Sequence, residues 1–143
     1  MTSKKSVLLI PVENQVRELD AKLLLACISA RRGLPSIIGP KRDVEARIAK
    51  FPRSIYLAKS MLHGHKAFLK SACKLGHKIA AWDEDALVHL PPEIYFSRRL
   101  SPVSIGCVSH LFAWGQDNAE LWRQYPELPP GVPIHVTGNP RND

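Results

Sequence analysis

Short apolar runs alternate with helix-like segments along the whole chain, and this alternation restricts the fold more than any other feature. Apolar runs of this length are typical of strands that are covered on both faces. Six segments have this character: 7–10, 34–38, 54–57, 77–81, 110–113 and 134–136. Strands that alternate with helices favour a parallel sheet with helices on both faces. The sequence therefore predicts an α/β fold with a doubly wound, mainly parallel sheet of about six strands.

Helices are predicted between these strands. Asn14 is a good N-cap, and Gly33 is a good stop for the helix that follows. Apolar residues recur between them at spacings of three and four, at Val16, Leu19, Leu23, Cys27 and Ala30. Further helices are predicted over 43–50, from Ser60 to Gly76, and after Gly115. Segment 86–107, which contains Pro91, Pro92 and Pro102, is predicted to be less regular.

Length and composition indicate one globular domain. The chain has 143 residues, of which 45% are hydrophobic and 23% charged. Its apolar runs are far shorter than the roughly 18–20 residues that span a bilayer. Pro11 and Glu13 end the first run too early for a signal peptide. We therefore expect a cytoplasmic protein.

The charge is unevenly distributed. The chain carries a net +7, with +11 over residues 1–80 and −4 over residues 81–143. A basic half suits an anionic partner such as a phosphorylated substrate, an anionic membrane surface or nucleic acid, although a solvated basic face is the alternative. Basic and aromatic residues are not interleaved, which argues against nucleic acid. Peripheral contact with the inner face of a membrane is the remaining expectation.

Acidic side chains follow two of the predicted strands. Asp83, Glu84 and Asp85 come directly after the fourth strand, and Glu13 comes after the first. In open parallel sheets, ligands bind beyond the carboxyl ends of the strands. A carboxylate there can act as a base, a nucleophile or a stabiliser of an oxocarbenium ion. The alternative is that these are ordinary surface acids.

The sequence lacks the usual cofactor and metal motifs. The turn at 11–14 has neither a dinucleotide-binding nor a P-loop glycine pattern, so no cofactor is expected. His63 and His65 are two residues apart and would not share a helix face. The three cysteines form no C-x-x-C pair. We therefore expect no metal site and interpret the cysteines as buried, reduced thiols.

The closing residues, from Gly138 to Arg141, follow the last predicted strand. Glycine and proline favour a sharp turn here, and Arg141 has the geometry to bind a phosphate or a carboxylate. A polar tail without a ligand is the alternative.

The order of these motifs resembles that of bacterial surface carbohydrate biosynthesis proteins. The resemblance rests on 12–20, Gly33, Gly39, 82–87, 112–115 and 137–141. The closing Pro-Arg-Asn-Asp at 140–143 is also similar to CDP-glycerol glycerophosphotransferases. Both groups have the GT-B arrangement of two Rossmann-like domains around a cleft. The resemblance implies a Rossmann-like acceptor-side domain at 1–137 and the start of an interdomain linker at 138–143.

The resemblance implies half of a glycosyltransferase of surface polysaccharide biosynthesis, in capsule or lipopolysaccharide assembly. Its partner would be a glycan or lipid-linked acceptor, and a nucleotide-activated donor would bind only through a further, C-terminal domain. The chain by itself is then expected to be inactive. A polyol-phosphate transferase half-domain and a non-catalytic Rossmann-like binding or assembly domain are the alternatives.

The resemblance also implies roles for individual residues. Asp83, Glu84 and Glu13 would be the catalytic carboxylates. Substrate-binding roles would fall to Asn14, Arg17, Asp85, Gly138, Asn139 and Arg141. One departure is that Asp85-Ala86 stands where the family often has a glycine after the acidic pair, which weakens the case for close approach of the backbone to a substrate there.

Overall fold

The computed structural model describes residues 5–85 and 90–141. It contains one six-stranded sheet with the order β2-β1-β3-β4-β5-β6, and every neighbouring pair is parallel. The strands are β1 (Leu8–Val12), β2 (Ser36–Pro40), β3 (Ile55–Ala58), β4 (Lys78–Ala81), β5 (Val108–Ala113) and β6 (Ile134–Val136). This confirms the predicted Rossmann-like α/β fold.

Within the described residues, six helices connect the strands. They are α1 (Gln15–Arg31), α2 (Lys41–Ala46), α3 (Lys66–Lys74), α4 (Pro92–Arg99), α5 (Pro102–Gly106) and α6 (Gln116–Arg123). Short 3-10 turns lie at Ile48–Lys50 and His63–His65. Gly33 follows α1 with a φ of 88°, a left-handed conformation that glycine adopts without strain.

The sheet separates two hydrophobic cores. One core packs helices α2 to α6 against the sheet, with Val44, Leu69, Tyr95, Ile105 and Trp122 from these five helices. The other lies under α1 and includes Ile10, Leu57 and Ala80. Because both faces are covered, β1 is buried at all five positions, and an uninterrupted apolar run is what such a strand requires.

The strand order reverses beside β1. This strand pairs with β2 on one side and with β3 on the other. The connections that leave β1 and β3 therefore diverge, and they open a crevice at the carboxyl ends of these strands. Such reversal points are where open α/β sheets bind ligands.

Helix α1 differs from its sequence-based interpretation. The apolar residues predicted to face the core are largely exposed: Val16 is 97% exposed and Leu23 is 42% exposed. The buried positions are instead Glu18 and Lys22. The prediction of the buried face was wrong because the helix directs two charged residues to the strand ends, where each finds a partner.

The segment predicted to be irregular contains two helices. Pro92 and Pro102 occupy the first helical turns of α4 and α5, a position where the missing N–H has no cost and the fixed φ suits a helix. The start predicted for the helix from Ser60 to Gly76 is also wrong, because α3 begins only at Lys66. Instead, Met61 forms a parallel bridge with Leu100.

Two further observations concern the cysteines and the ends of two predicted motifs. Cys27 and Cys73 are exposed, so the expected burial of the thiols is wrong for these two. Ala86 and Leu87 of the acidic motif, and Asn142 and Asp143 of the closing motif, lie outside the described residues.

Candidate functional site

Charged side chains from three adjacent strands meet at the carboxyl edge of the sheet. Glu13 follows β1, Lys59 follows β3, and the acidic run that starts at Asp83 follows β4. Because β1, β3 and β4 are neighbours in a parallel sheet, their carboxyl ends lie side by side. The cluster therefore lies where open parallel sheets bind ligands, beyond the carboxyl ends of the strands.

A buried ion-pair triad forms the base of the cluster. The Lys22 ammonium lies 2.9 Å from Glu18 Oε2 and 2.8 Å from Glu84 Oε1. It also donates to the Pro11 carbonyl at 2.8 Å. The contacts with Glu18 and Pro11 are hydrogen bonds, and the contact with Glu84 is an ion pair. No more than 3% of any of the three charged side chains is exposed.

Glu18 is a buried carboxylate that accepts four hydrogen bonds. One oxygen accepts from the Asn14 amide and from Lys59 Nζ, and the other accepts from the Glu13 amide and from Lys22. Burial by itself would raise the pKa of Glu18, but these hydrogen bonds and the Lys22 charge outweigh it and lower the pKa from 4.5 to about 2. Glu18 therefore fixes the loop between β1 and α1 while ionised.

This lowered pKa predicts acid sensitivity. The native state holds Glu18 ionised down to about pH 2, whereas the unfolded chain takes up the proton near 4.5. The stabilisation is present above about pH 4.5 and is lost as the pH falls through 2, with Glu18 accounting for about 3 kcal/mol. Urea unfolding between pH 6 and pH 2 would measure it. Glu18→Gln should flatten this slope and Glu120→Gln, on an exposed side chain, should not; equal slopes for both variants would contradict the assignment.

Lys59 connects the buried triad with the solvent-facing acid. Its ammonium lies 3.2 Å from Glu18 Oε1 and 2.5 Å from Glu13 Oε2. Burial opposes the charged form of Lys59, but its two carboxylate partners raise its pKa overall. The hydrogen bond from Lys59 lowers the pKa of Glu13 below its ordinary value, and Lys41, 3.5 Å from Glu13 Oε1, adds to this effect. Glu13 is therefore ionised at neutral pH. Its carboxylate is also accessible, because 50% of the side chain is exposed.

Asp83 belongs to a second buried network. Its two oxygens accept from the Nε and Nη2 atoms of Arg99, and Oδ2 also accepts from the Tyr95 hydroxyl at 3.0 Å. Trp122 Nε1 donates to the same hydroxyl at 2.9 Å. The hydrogen bond to Asp83 raises the pKa of Arg99, and burial raises that of Tyr95. Asp83, with 1% of its side chain exposed, therefore anchors α4 to the end of β4.

Three other predicted residues border the cluster on its exposed side. Arg17 Nη2 lies 3.5 Å from Asp85 Oδ1, and both side chains are about half exposed. Asn14 acts as the N-cap of α1, because its side chain accepts from the Arg17 amide. This confirms the predicted cap. The side-chain oxygen of Asn14 is therefore bonded to the backbone of α1.

The closing segment folds back onto the cluster. Gly138 has a φ of 80°, and Asn139 Oδ1 accepts from the Arg141 amide at 3.0 Å. Arg141 Nη1 then donates to the main-chain oxygen of Glu84 at 3.2 Å. The segment after β6 is therefore tied to the loop after β4.

Two open clefts adjoin Glu13. One, of about 360 Å³, is lined by polar and basic residues that include Lys41, Arg42 and Glu45. The other, of about 330 Å³, is more apolar and includes Leu19 and Ile38. Glu13 lines both, so its carboxylate stands between a basic and an apolar surface.

The structure brings all nine predicted site residues to one region but gives them different exposures. Asp83 and Glu84 are buried and ion-paired, whereas Glu13 faces solvent beside the clefts. Seven residues of the networks were not predicted from the sequence: Glu18, Lys22, Lys41, Lys59, Tyr95, Arg99 and Trp122. The spacing of four between Glu18 and Lys22 was the one available signal, since such pairs share a helix face.

Fold and site together define a Rossmann-like α/β domain with a charged cluster at the reversal point of its sheet. Comparison with protein-family models, with curated proteins and with solved structures finds no match to this chain. Within residues 5–85 and 90–141, no group of three or more histidine, cysteine or acidic side chains is placed to hold a metal ion. In the same ranges, none of the helices has the length and apolar character needed to cross a bilayer.

Proposed function

We propose that this chain is the acceptor-side domain of a glycosyltransferase of surface polysaccharide assembly, and that Glu13 is the carboxylate that faces the acceptor. The observation that carries the proposal is the position of Glu13. It is half exposed at the carboxyl edge of the sheet and lines two clefts of about 330 and 360 Å³. An acceptor sugar offers hydroxyl groups to a carboxylate and an apolar ring face to a nonpolar wall.

The electrostatics around Glu13 suit the binding of an acceptor. Its pKa lies below the ordinary value because of Lys59, so Glu13 is ionised at neutral pH, and an ionised carboxylate accepts hydrogen bonds from sugar hydroxyls. Lys41 and Arg42 line the adjacent basic cleft, where they would bind the phosphate of a lipid-linked acceptor.

Asp83 and Glu84 receive a supporting role in this proposal. Each is at least 97% buried and each has a cationic partner, so neither reaches a ligand in this structure. Asp83 holds α4 and Glu84 holds Lys22, and both keep the loops at the carboxyl edge in place.

Nucleotide release tests the proposal. The protein that carries these 143 residues, purified from the cells that make it, is incubated with nucleotide sugars and lipid-linked acceptors. Transfer should occur, and Glu13→Gln should lower kcat by about 100-fold or more with little change in KM for the donor. Glu120→Gln is the matched control, because Glu120 is 64% exposed on α6. Full activity of Glu13→Gln would remove Glu13 from the reaction.

The same assay distinguishes the two rival functions. Release of CMP from CDP-polyols, with no turnover of nucleotide sugars, would assign a polyol-phosphate transferase. No turnover of any donor would support a non-catalytic binding or assembly domain. The burial of Asp83 and Glu84 favours this second candidate, because two of the three expected carboxylates act within the fold.

A further inference from the structure

Two buried polar atoms near the triad have no hydrogen-bond partner within the described part of the chain. They are Glu84 Oε2, an acceptor, and Trp114 Nε1, a donor. The other oxygen of Glu84 is fully engaged, since it accepts from Trp82 Nε1 at 2.9 Å and contacts Lys22. A buried polar group without a partner costs roughly 1–3 kcal/mol, so such atoms are normally satisfied.

Both residues line one small cavity. Its volume is about 10 Å³, and Ala21, Pro140 and the Trp82 ring supply much of its apolar wall. This is about the room that one water molecule needs, provided that the cavity offers polar partners. Lys22 and Glu18 also line it, but their charged groups already have a full set of partners.

We infer that this cavity is a binding site for one ordered water molecule. The water donates a hydrogen bond to Glu84 Oε2 and accepts one from Trp114 Nε1. It thereby joins the loop after β4, which carries Glu84, to the end of β5, which Trp114 follows. Arg141 also lines the cavity, and it donates to the main-chain oxygen of Glu84. The water completes the coordination of the buried triad, and it is independent of any acceptor at Glu13.

High-resolution crystallography of the 143-residue chain tests this site. We expect one spherical density peak at about 2.7–3.2 Å from both Glu84 Oε2 and Trp114 Nε1. A cavity without electron density for a water molecule would overturn the inference. A direct hydrogen bond from Trp114 Nε1 to a protein oxygen would overturn it as well.

A measurement in solution uses a buried backbone amide as its control. The Trp114 indole proton should show a nuclear Overhauser cross-peak at the water frequency that indicates a long-lived water. The Leu9 amide proton should lack a cross-peak of this strength, because Leu9 is fully buried in β1 and does not line the cavity. A cross-peak for Trp114 that is no stronger than that for the Leu9 amide would contradict the site.

Discussion

Replacing Lys22 with methionine is expected to lower the free energy of unfolding by about 3–5 kcal/mol at pH 7. The change keeps an unbranched side chain as far as Cε but removes the ammonium that pairs with Glu18 and Glu84. Glu84, with 3% of its side chain exposed, would then lose its cationic partner, and Glu18, with 2% exposed, would keep only Lys59 at 3.2 Å. Urea unfolding followed by tryptophan fluorescence measures the loss.

A matched substitution controls for the loss of a lysine. Lys70 is exposed on α3, and Lys70→Met should change the free energy of unfolding by less than about 0.5 kcal/mol. The deficit of Lys22→Met should also shrink at low pH, where the carboxylates take up protons. A Lys22→Met variant as stable as Lys70→Met would show that the triad does not stabilise the fold.

Replacing Arg99 with methionine is expected to cost about 2–4 kcal/mol, because it leaves the Asp83 carboxylate buried without its cation. Tyr95 would remain the one side chain that donates to Asp83 among the described residues. The adjacent Arg98 is exposed, so Arg98→Met is a matched control on the same helix and should stay within about 0.5 kcal/mol of the wild type.

A double-mutant cycle separates the Arg99–Asp83 interaction from other effects of the substitution. Combined with Asp83→Asn, which removes the buried charge, Arg99→Met should cost less than it does alone. A coupling energy of about 1 kcal/mol or more is expected. Strictly additive losses would mean that the pair makes no direct contribution.

The central strands β1, β3 and β4 were predictable because their burial on both faces demands uninterrupted apolar runs. β1 shows this most clearly, since none of its five residues is exposed. The buried face of α1 was not predictable in the same way. Leu23 and Val16 suggested one apolar stripe, but the sheet edge selected the stripe that carries Glu18 and Lys22. Local periodicity cannot show that a charged side chain will find a partner on a distant strand.

For the candidate site, the sequence predicted the location but not the exposure of the side chains. The rule that ligands bind at carboxyl ends of strands located Glu13, Asp83 and Glu84 from the sequence. Their exposure depended on partners that spacing did not reveal. Arg99 lies 16 residues beyond Asp83, on a helix that the prolines had suggested would not form. Which carboxylate faces solvent therefore became visible only in the structure.

An NMR titration of the 143-residue chain with oligosaccharides and sugar phosphates tests the central claim most directly. We expect amide shifts centred on 12–19 and 38–45, whose non-proline residues include those that line the clefts on either side of Glu13. We also expect that Glu13→Gln weakens binding by about 10-fold, the equivalent of one lost hydrogen bond to a charged group. Shifts centred elsewhere on the sheet, or the same affinity for Glu13→Gln, would contradict an acceptor site at this edge.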